Sequence, residues 1–135
     1  MRRVVVLAAG VVVLAAVAAV LIFRPDGREF SDVRALVEAM QGAGIECENL
    51  NVSIPDPTPE IVDFGSCQVD GQTVNLHVYK SSDSVEEHIE GNVSARSLNN
   101  PNYFDFLVAG DTWVVDTYSE ETAKEIQAAI GGEIH

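Results

Sequence analysis

The sequence predicts an α+β fold, in which a small antiparallel sheet packs with about three helices behind an N-terminal transmembrane helix. Three observations predict it: an apolar run at residues 4–23, two pairs of strand-like runs that flank tight-turn dipeptides, and three stretches with helical spacing of apolar residues. The predicted order after the apolar run is α-β-β-β-α-β-β-α. We divide the chain into an anchor at 1–23, a linker at 24–30 and an extracytoplasmic domain at 31–135.

The anchor is predicted from the run VVVLAAGVVVLAAVAAVLIF at residues 4–23, which contains no charged side chain. As a helix it would span about 30 Å, the thickness of the hydrocarbon core of a bilayer. Arg2 and Arg3 precede it, so the positive-inside rule favours a cytoplasmic N-terminus and an exported remainder. We expect a single-pass cell-membrane protein that contacts the bilayer through residues 4–23.

A cleaved signal peptide is the alternative to an anchor. The triplet at residues 16–18, Ala-Val-Ala, has the small-x-small form of a cleavage site. The apolar run, however, continues through residues 20–23, beyond the length usual for a signal peptide. Cleavage would make the domain a secreted protein.

The charge balance narrows the range of partners. The chain has 135 residues and a formal net charge of −13. Such an acidic molecule repels nucleic acid and anionic lipid headgroups, so we expect no nucleic-acid partner. The carboxylates either keep the domain soluble or attract cationic partners and divalent cations.

The first half of the domain is predicted to be a helix followed by three strands. Apolar residues at 33, 36, 37 and 40 indicate a helix over 32–41, with Ser31 as its N-cap and glycines at its end. Residues 45–52 indicate a short strand. Residues 64–69 and 73–80 indicate a hairpin closed by Asp70-Gly71, in which Val74, Leu76 and Val78 face one side and His77 faces the other.

Between these strands lies a stretch with three prolines, SIPDPTPEIVD, at residues 53–63. Pro55, Pro57 and Pro59 predict an extended exposed loop. The stretch is either a plain connector or a candidate interaction loop for an envelope protein.

The second half is predicted to be a short helix, a second hairpin and a last helix. Ser84 and Glu87 have the spacing of a capping box, and the polar residues 91–102 indicate a loop. Strands at 103–109 and 112–118 flank Gly110-Asp111, with Trp113 buried. Ser119 is the predicted N-cap of the last helix, which Gly131-Gly132 ends.

The chain has two cysteines, Cys47 and Cys67, which we expect to form a disulfide. Predicted neighbouring strands can bring their Cα atoms to the 5–6 Å or so that a disulfide needs, and an oxidising compartment favours the bond. Free thiols and a metal site remain the alternatives. A zinc site would need two more ligands from the three histidines or the carboxylates.

No catalytic constellation stands out in the sequence. His77, His88 and His135 have no spacing typical of a motif, and the chain lacks a phosphate-binding glycine loop and a nucleophile elbow. A thiol–imidazole dyad of His77 with Cys67 is conceivable, but an exposed strand histidine is the simpler interpretation. We therefore assign no catalytic residue, cofactor or metal ligand.

Several segments together resemble a family of small exported, membrane-tethered or lipoprotein-like proteins of high-GC Gram-positive bacteria. They are the Val/Ala-rich run, GIEC at residues 44–47, GSCQVDGQTVNLHVYKSSD at 65–83 and TWVVDTYSEETAKEIQAAIGG at 112–132. Family members often carry a lipid-attachment cysteine, which does not follow the apolar run here. The resemblance implies an envelope address and carries over no catalytic residue.

The leading functional hypothesis is a non-enzymatic binding or accessory module of the cell envelope. Its expected interaction surfaces are the loops at residues 53–63 and 91–102. The alternatives are an envelope enzyme of the hydrolase type, using clustered carboxylates or His77, and a divalent-cation binder.

Overall fold

The structure is a computed structural model, which describes residues 28–53, 60–98 and 103–135. Within them the chain forms one antiparallel sheet with three helices, so the predicted α+β class is confirmed. The helices are α1 (Val33–Gly42), α2 (Ser82–Ser97) and α3 (Glu120–Ile130), and the strands are β1 (Glu48–Ser53), β2 (Ile61–Val69), β3 (Gln72–Tyr79), β4 (Phe106–Ala109), β5 (Trp113–Thr117) and β6 (Glu133–Ile134). The strand order is β1-β2-β3-β5-β4-β6.

Helix α1 buries the predicted apolar stripe, but its N-cap is Asp32 rather than Ser31. The Asp32 carboxylate accepts a hydrogen bond from the backbone N–H of Ala35 at 2.8 Å. A second carboxylate, on Asp63 of β2, accepts from the backbone N–H of Val33 at 2.9 Å. These bonds satisfy two of the N–H groups that every helix start leaves without a partner, and they join α1 to the sheet.

The hairpin of β2 and β3 forms as predicted. Asp70 and Gly71 have φ of 51° and 77°, the left-handed conformation that a two-residue hairpin turn requires at both positions. The alternation along β3 is also confirmed, since Val74, Leu76 and Val78 are buried in the main core. Strand β2 begins at Ile61, within the predicted proline-rich loop, while Pro55, Pro57 and Pro59 lie outside the described residues.

Helices α1 and α3 cover one face of the sheet, which we call the core face. Trp113 is fully buried there, and its indole Nε1 donates to the backbone oxygen of Arg28 at 2.7 Å. The ring of Phe30 packs edge-on against it, with centroids 5.7 Å apart. The end of the predicted linker is therefore part of the folded domain.

The predicted disulfide joins Cys47 and Cys67, whose Cα atoms are 5.4 Å apart. Both residues are buried in the core. Cys67 lies in β2, whereas Cys47 lies just before β1 rather than inside the predicted strand. The bond links the segment after α1 to the hairpin.

Two predictions for the second half are wrong: the helix start with a capping box at Ser84 and Glu87, and the loop from residue 91 onward. Helix α2 begins at Ser82, with Ser81 as its N-cap, and continues to Ser97, so residues 91–97 are helical rather than a loop. Asn92 lies on its buried side and donates to the backbone oxygen of Phe104 at 2.9 Å, a contact that offsets the helix-weakening effect of Gly91. The two-residue strand β6, which pairs with β4, was not predicted.

No helix among the described residues is long and apolar enough to cross a bilayer. The predicted anchor at residues 4–23 lies outside the described part of the chain.

Candidate functional site

The second face of the sheet, which we call the open face, is only partly covered. Helix α2 packs over its middle, where Val85, Leu107, Ala109 and Val114 form a small apolar cluster. None of the helices in the described part of the chain covers strands β1 and β2 on this side, and Phe64 on β2 is 37% exposed. The polar group described below lies where the helix-covered and uncovered parts of the open face meet.

Three side chains converge at this boundary: His77 from β3, His88 from α2 and Asp116 from β5. The alternation that buries Leu76 and Val115 on the core face turns His77 and Asp116 to the open face. Strand pairing places His77 opposite Val114, two positions along β5 from Asp116. His88 reaches the same point from the helix above.

Asp116 is the centre of the group, and its side chain is only 6% exposed. Its Oδ2 accepts a hydrogen bond from His77 Nε2 at 3.0 Å, and its Oδ1 accepts one from His88 Nε2 at 2.9 Å. A buried carboxylate is costly unless it is hydrogen-bonded, and each oxygen here has one imidazole donor. Among the described residues, no lysine or arginine forms an ion pair with Asp116.

Tyr79, next to His77 on the same face of β3, orients His88 from the far side. Its hydroxyl lies 2.6 Å from His88 Nδ1. Because Nε2 of His88 carries the proton that faces Asp116, the Nδ1 of a neutral ring accepts from the Tyr79 hydroxyl. The two histidine rings meet edge to face, with centroids 4.6 Å apart. Tyr79, His88, Asp116 and His77 thus form one continuous polar chain.

The pKa values of Asp116 and Tyr79 shift in opposite directions, although both side chains are partly or fully buried. It favours the neutral form of Asp116, but the hydrogen bonds from His77 and His88 outweigh it and hold the pKa of Asp116 below the ordinary aspartate value. Burial, together with the nearby Asp116 carboxylate, raises the pKa of Tyr79 to about 12. The site therefore holds a carboxylate and a neutral phenol at pH 7.

The three converging side chains form a candidate metal-ligand set. One possible ligand atom from each of His77, His88 and Asp116 lies within 4.8 Å of the other two. Two imidazole nitrogens with a carboxylate oxygen suit zinc and its neighbours among the transition metals. For Nε2 to bind a metal, the proton of each neutral ring would have to lie on Nδ1 instead, and the Nδ1–H of His88 would then donate to the Tyr79 oxygen.

Two cavities open beside the site and share Asn75 and His77. The first has a volume of about 340 Å³ and joins His77 to two carboxylates, Asp116 and Glu87. The second, of about 250 Å³, extends over the uncovered strands and is lined by Phe64 among others. A ligand at His77 could therefore contact either cavity.

The structure changes several of the sequence-based interpretations of single residues. His77 is partly buried rather than exposed, and it cannot pair with Cys67, which faces the core and is bonded to Cys47. His88 joins His77, whereas His135 lies elsewhere, with its Nε2 3.9 Å from a Glu133 oxygen.

Sequence reasoning missed Asp116 and Tyr79. Part of the signal was present in the alternation of TVNLHVYK, which places His77 and Tyr79 opposite the apolar positions of β3, whereas TWVVD does not alternate because Val114 shares the face of Asp116. Using it required the knowledge that β3 pairs with β5.

Comparison of the chain with protein-family models, with curated proteins and with solved structures finds no match.

Proposed function

We propose that this chain is a membrane-tethered binding module of the cell envelope that binds a divalent transition-metal ion, zinc above all, through His77, His88 and Asp116. The observation that carries the proposal is the convergence of three possible ligand atoms within 4.8 Å. They come from two paired strands and a helix, so rigid elements hold them.

The distances suit a small metal ion. Tetrahedral zinc with bonds of about 2.0–2.2 Å keeps its ligand atoms roughly 3.4 Å apart. The Nε2 atoms of His77 and His88 lie 3.0 and 2.9 Å from the Asp116 oxygens, and one ligand atom from each residue lies within 4.8 Å of the other two, so the observed separations bracket the tetrahedral value. The Asp116 charge, which no lysine or arginine among the described residues neutralises, favours a cation.

The three proposed ligand residues would leave part of the metal's coordination sphere open to a further molecule. Three protein ligands leave a fourth position for water or another ligand, as in catalytic rather than structural zinc sites. The cavity that His77, His88 and Asp116 line gives that position access from solvent. Tyr79, hydrogen-bonded to His88 Nδ1, supplies the outer partner that metal-binding histidines usually have.

The test is a calorimetric zinc titration of the full-length chain in detergent after treatment with a chelator. We expect one ion per chain, with affinity lowered at least about 100-fold by His77→Gln or His88→Gln. His135→Gln is the matched control, because it removes the third histidine outside the set and should leave the affinity unchanged. Both cysteines are in the disulfide, so thiolates do not compete. Equal zinc binding in all three variants, or no binding, would overturn the proposal.

The membrane tether is part of the proposal and is supported by the apolar run at residues 4–23. The backbone oxygen of Arg28 is hydrogen-bonded to Trp113, so Arg28 belongs to the folded domain. Only four residues separate it from the apolar run. Carbonate extraction of membranes that contain the full chain tests the tether. An anchored chain stays with the membrane pellet, whereas a cleaved or peripheral one is released.

A second candidate function, metal-dependent hydrolysis, is favoured by one observation. The larger cavity brings Glu87 and Asp116 together with His77, and a zinc-bound water beside a free carboxylate is a hydrolytic arrangement. Zinc-dependent cleavage of activated esters or phosphoesters would support it, provided that Glu87→Gln abolishes turnover but leaves zinc binding intact. Turnover no faster than that of free zinc would exclude this function for those substrates.

A further inference from the structure

The uncovered part of the open face presents a ladder of amide and hydroxyl side chains that leads to Asp116. Strand pairing places Asn51 opposite Ser66, Ser66 opposite Asn75, and Asn75 opposite Asp116. The next rung pairs Ser53 with Phe64, and Phe64 with His77. We call these two rows the polar ladder: Asn51, Ser53, Phe64, Ser66 and Asn75, ending at His77 and Asp116.

We propose that the polar ladder binds a neutral, hydroxyl-rich ligand, an oligosaccharide. This goes beyond the proposed metal function and does not depend on it.

The polar ladder lines a cavity that extends across three strands. The cavity of about 250 Å³ over β1, β2 and β3 is lined by all five ladder residues and by His77. It adjoins the larger cavity at Asn75 and His77. With strands about 4.8 Å apart, the row from Asn51 to Asp116 extends over roughly 14 Å. The ladder therefore suits an elongated ligand rather than a compact one.

The amide and hydroxyl side chains of the polar ladder offer hydrogen bonds of both kinds. Asparagine amides and serine hydroxyls each offer both a donor and an acceptor, which matches a sugar hydroxyl group. Asn75 and Ser66 are only partly exposed, so their geometry is restrained by the sheet. The main-chain groups of β2 and β3 are already paired within the sheet, so a peptide lying over these two strands could not add to them as a further strand.

The polar ladder also contains one aromatic ring, that of Phe64. Phe64 is exposed at the centre of the ladder, and its ring stacks on His77 with centroids 6.4 Å apart and planes 24° from parallel. A flat ring held against the sheet offers an apolar surface for the C–H face of a sugar. Large exposed aromatic residues beside convergent polar groups are typical of ligand sites.

The charge of the ladder and of its surroundings limits which ligands can bind. The chain is strongly acidic, yet Asn51, Ser53, Phe64, Ser66 and Asn75 carry no charge. An anionic ligand would be repelled by the surrounding carboxylates. A cationic saccharide finds no carboxylate to pair with among these five side chains. These conditions favour a neutral ligand.

The test is an NMR titration of the full-length chain in a detergent without a sugar headgroup, with chelator present. Neutral linear tetrasaccharides, with and without N-acetyl groups, should shift the side-chain amide signals of Asn51 and Asn75. Phe64→Ala and Asn75→Ala should each weaken binding at least about tenfold. The matched control is Gln68→Ala, which changes an exposed residue on the same side of β2, outside the cavity, and should bind normally.

Three outcomes would overturn the proposal: no shifts with any neutral tetrasaccharide up to about 10 mM, unchanged binding by Phe64→Ala, or binding only of an acidic or a cationic oligosaccharide. His88→Gln separates this inference from the metal function. That variant should lose zinc and still bind the saccharide, because His88 is not part of the ladder.

Discussion

The two faces of the sheet are built from the same strands but bury different kinds of side chain. On the core face, α1 and α3 enclose apolar side chains around Trp113 and the disulfide. On the open face, α2 encloses a much smaller apolar cluster, and His77, His88 and Asp116 occupy its border. Neighbouring residues such as Leu76 and His77 thus belong to different environments. The core face supplies stability, and the open face carries the proposed binding site.

The energetics of the two faces differ accordingly. Burying a large apolar side chain contributes about 1.5–3 kcal/mol, so each residue of the core face adds to stability. Burying Asp116 costs free energy that its two hydrogen bonds largely offset, so the polar group adds little. Four measurements, from the largest expected effect to the smallest, test this contrast.

Trp113→Ala should have the largest effect on the free energy of unfolding. The change empties the centre of the core face and removes the hydrogen bond to the Arg28 backbone oxygen, and we expect a loss of about 3–5 kcal/mol. Urea denaturation of the full-length chain measures it. A loss below about 1 kcal/mol would show that the core face is not the main source of stability.

Replacement of both Cys47 and Cys67 by serine should come next. The disulfide closes a loop across a sequence separation of 20, which corresponds to about 3 kcal/mol in the chain-entropy account. Urea midpoints of the oxidised wild type and of the double variant give the value. A reducing agent should destabilise the wild type alone; an equal effect on both proteins would mean that the disulfide is not responsible.

Asp116→Asn should cost much less stability, about 1 kcal/mol, although Asp116 is nearly as buried as the core residues. The amide keeps the shape of the side chain and can still bond both imidazoles. Zinc affinity, in contrast, should fall at least about 100-fold because the charged ligand is lost. If Asp116→Asn destabilises the protein as much as Trp113→Ala, the group is structural and the contrast between the faces fails.

The ionisation of Tyr79 should have the smallest effect on the free energy of unfolding, and this effect should be visible only at high pH. Its pKa is raised to about 12, above the ordinary value of about 10, because burial and Asp116 disfavour the phenolate. The folded state therefore keeps the proton longer than the unfolded state, and this contribution to stability is complete below pH 10 and declines between about 10 and 12.

Absorbance titration of the metal-free wild type and of Tyr79→Phe isolates this phenol. The difference between the two curves should show one group titrating near pH 12. A difference curve centred near pH 10 would contradict the burial of Tyr79 against His88 and Asp116.

Most of the fold follows from local pattern. The alternation in β3, the Asp70-Gly71 turn and the Ser119 cap each depend on neighbouring residues, and each was predicted correctly. The predictions fail where contacts between residues distant in the sequence determine the secondary structure. Helix α2 extends past Gly91 because Asn92 bonds to Phe104, twelve positions later, and β6 exists because β4 offers it an edge.

The candidate site was even harder to predict from local sequence pattern. His77 and His88 were noted as single residues, but Asp116 is 39 and 28 positions away from them. Their meeting depends on the pairing of β3 with β5, which passes over α2 and β4 in the sequence. The disulfide was predictable because the chain contains only two cysteines; a three-residue set among many carboxylates is not.

The most direct test of the metal-binding account is anomalous diffraction at the zinc edge from crystals of the full-length chain grown with zinc. The account predicts one ion bonded to Nε2 of His77, Nε2 of His88 and the carboxylate of Asp116, at distances of about 2.0–2.2 Å. Tyr79 should remain hydrogen-bonded to His88 Nδ1. No anomalous peak between these three side chains, or a peak only at surface carboxylates, would contradict it.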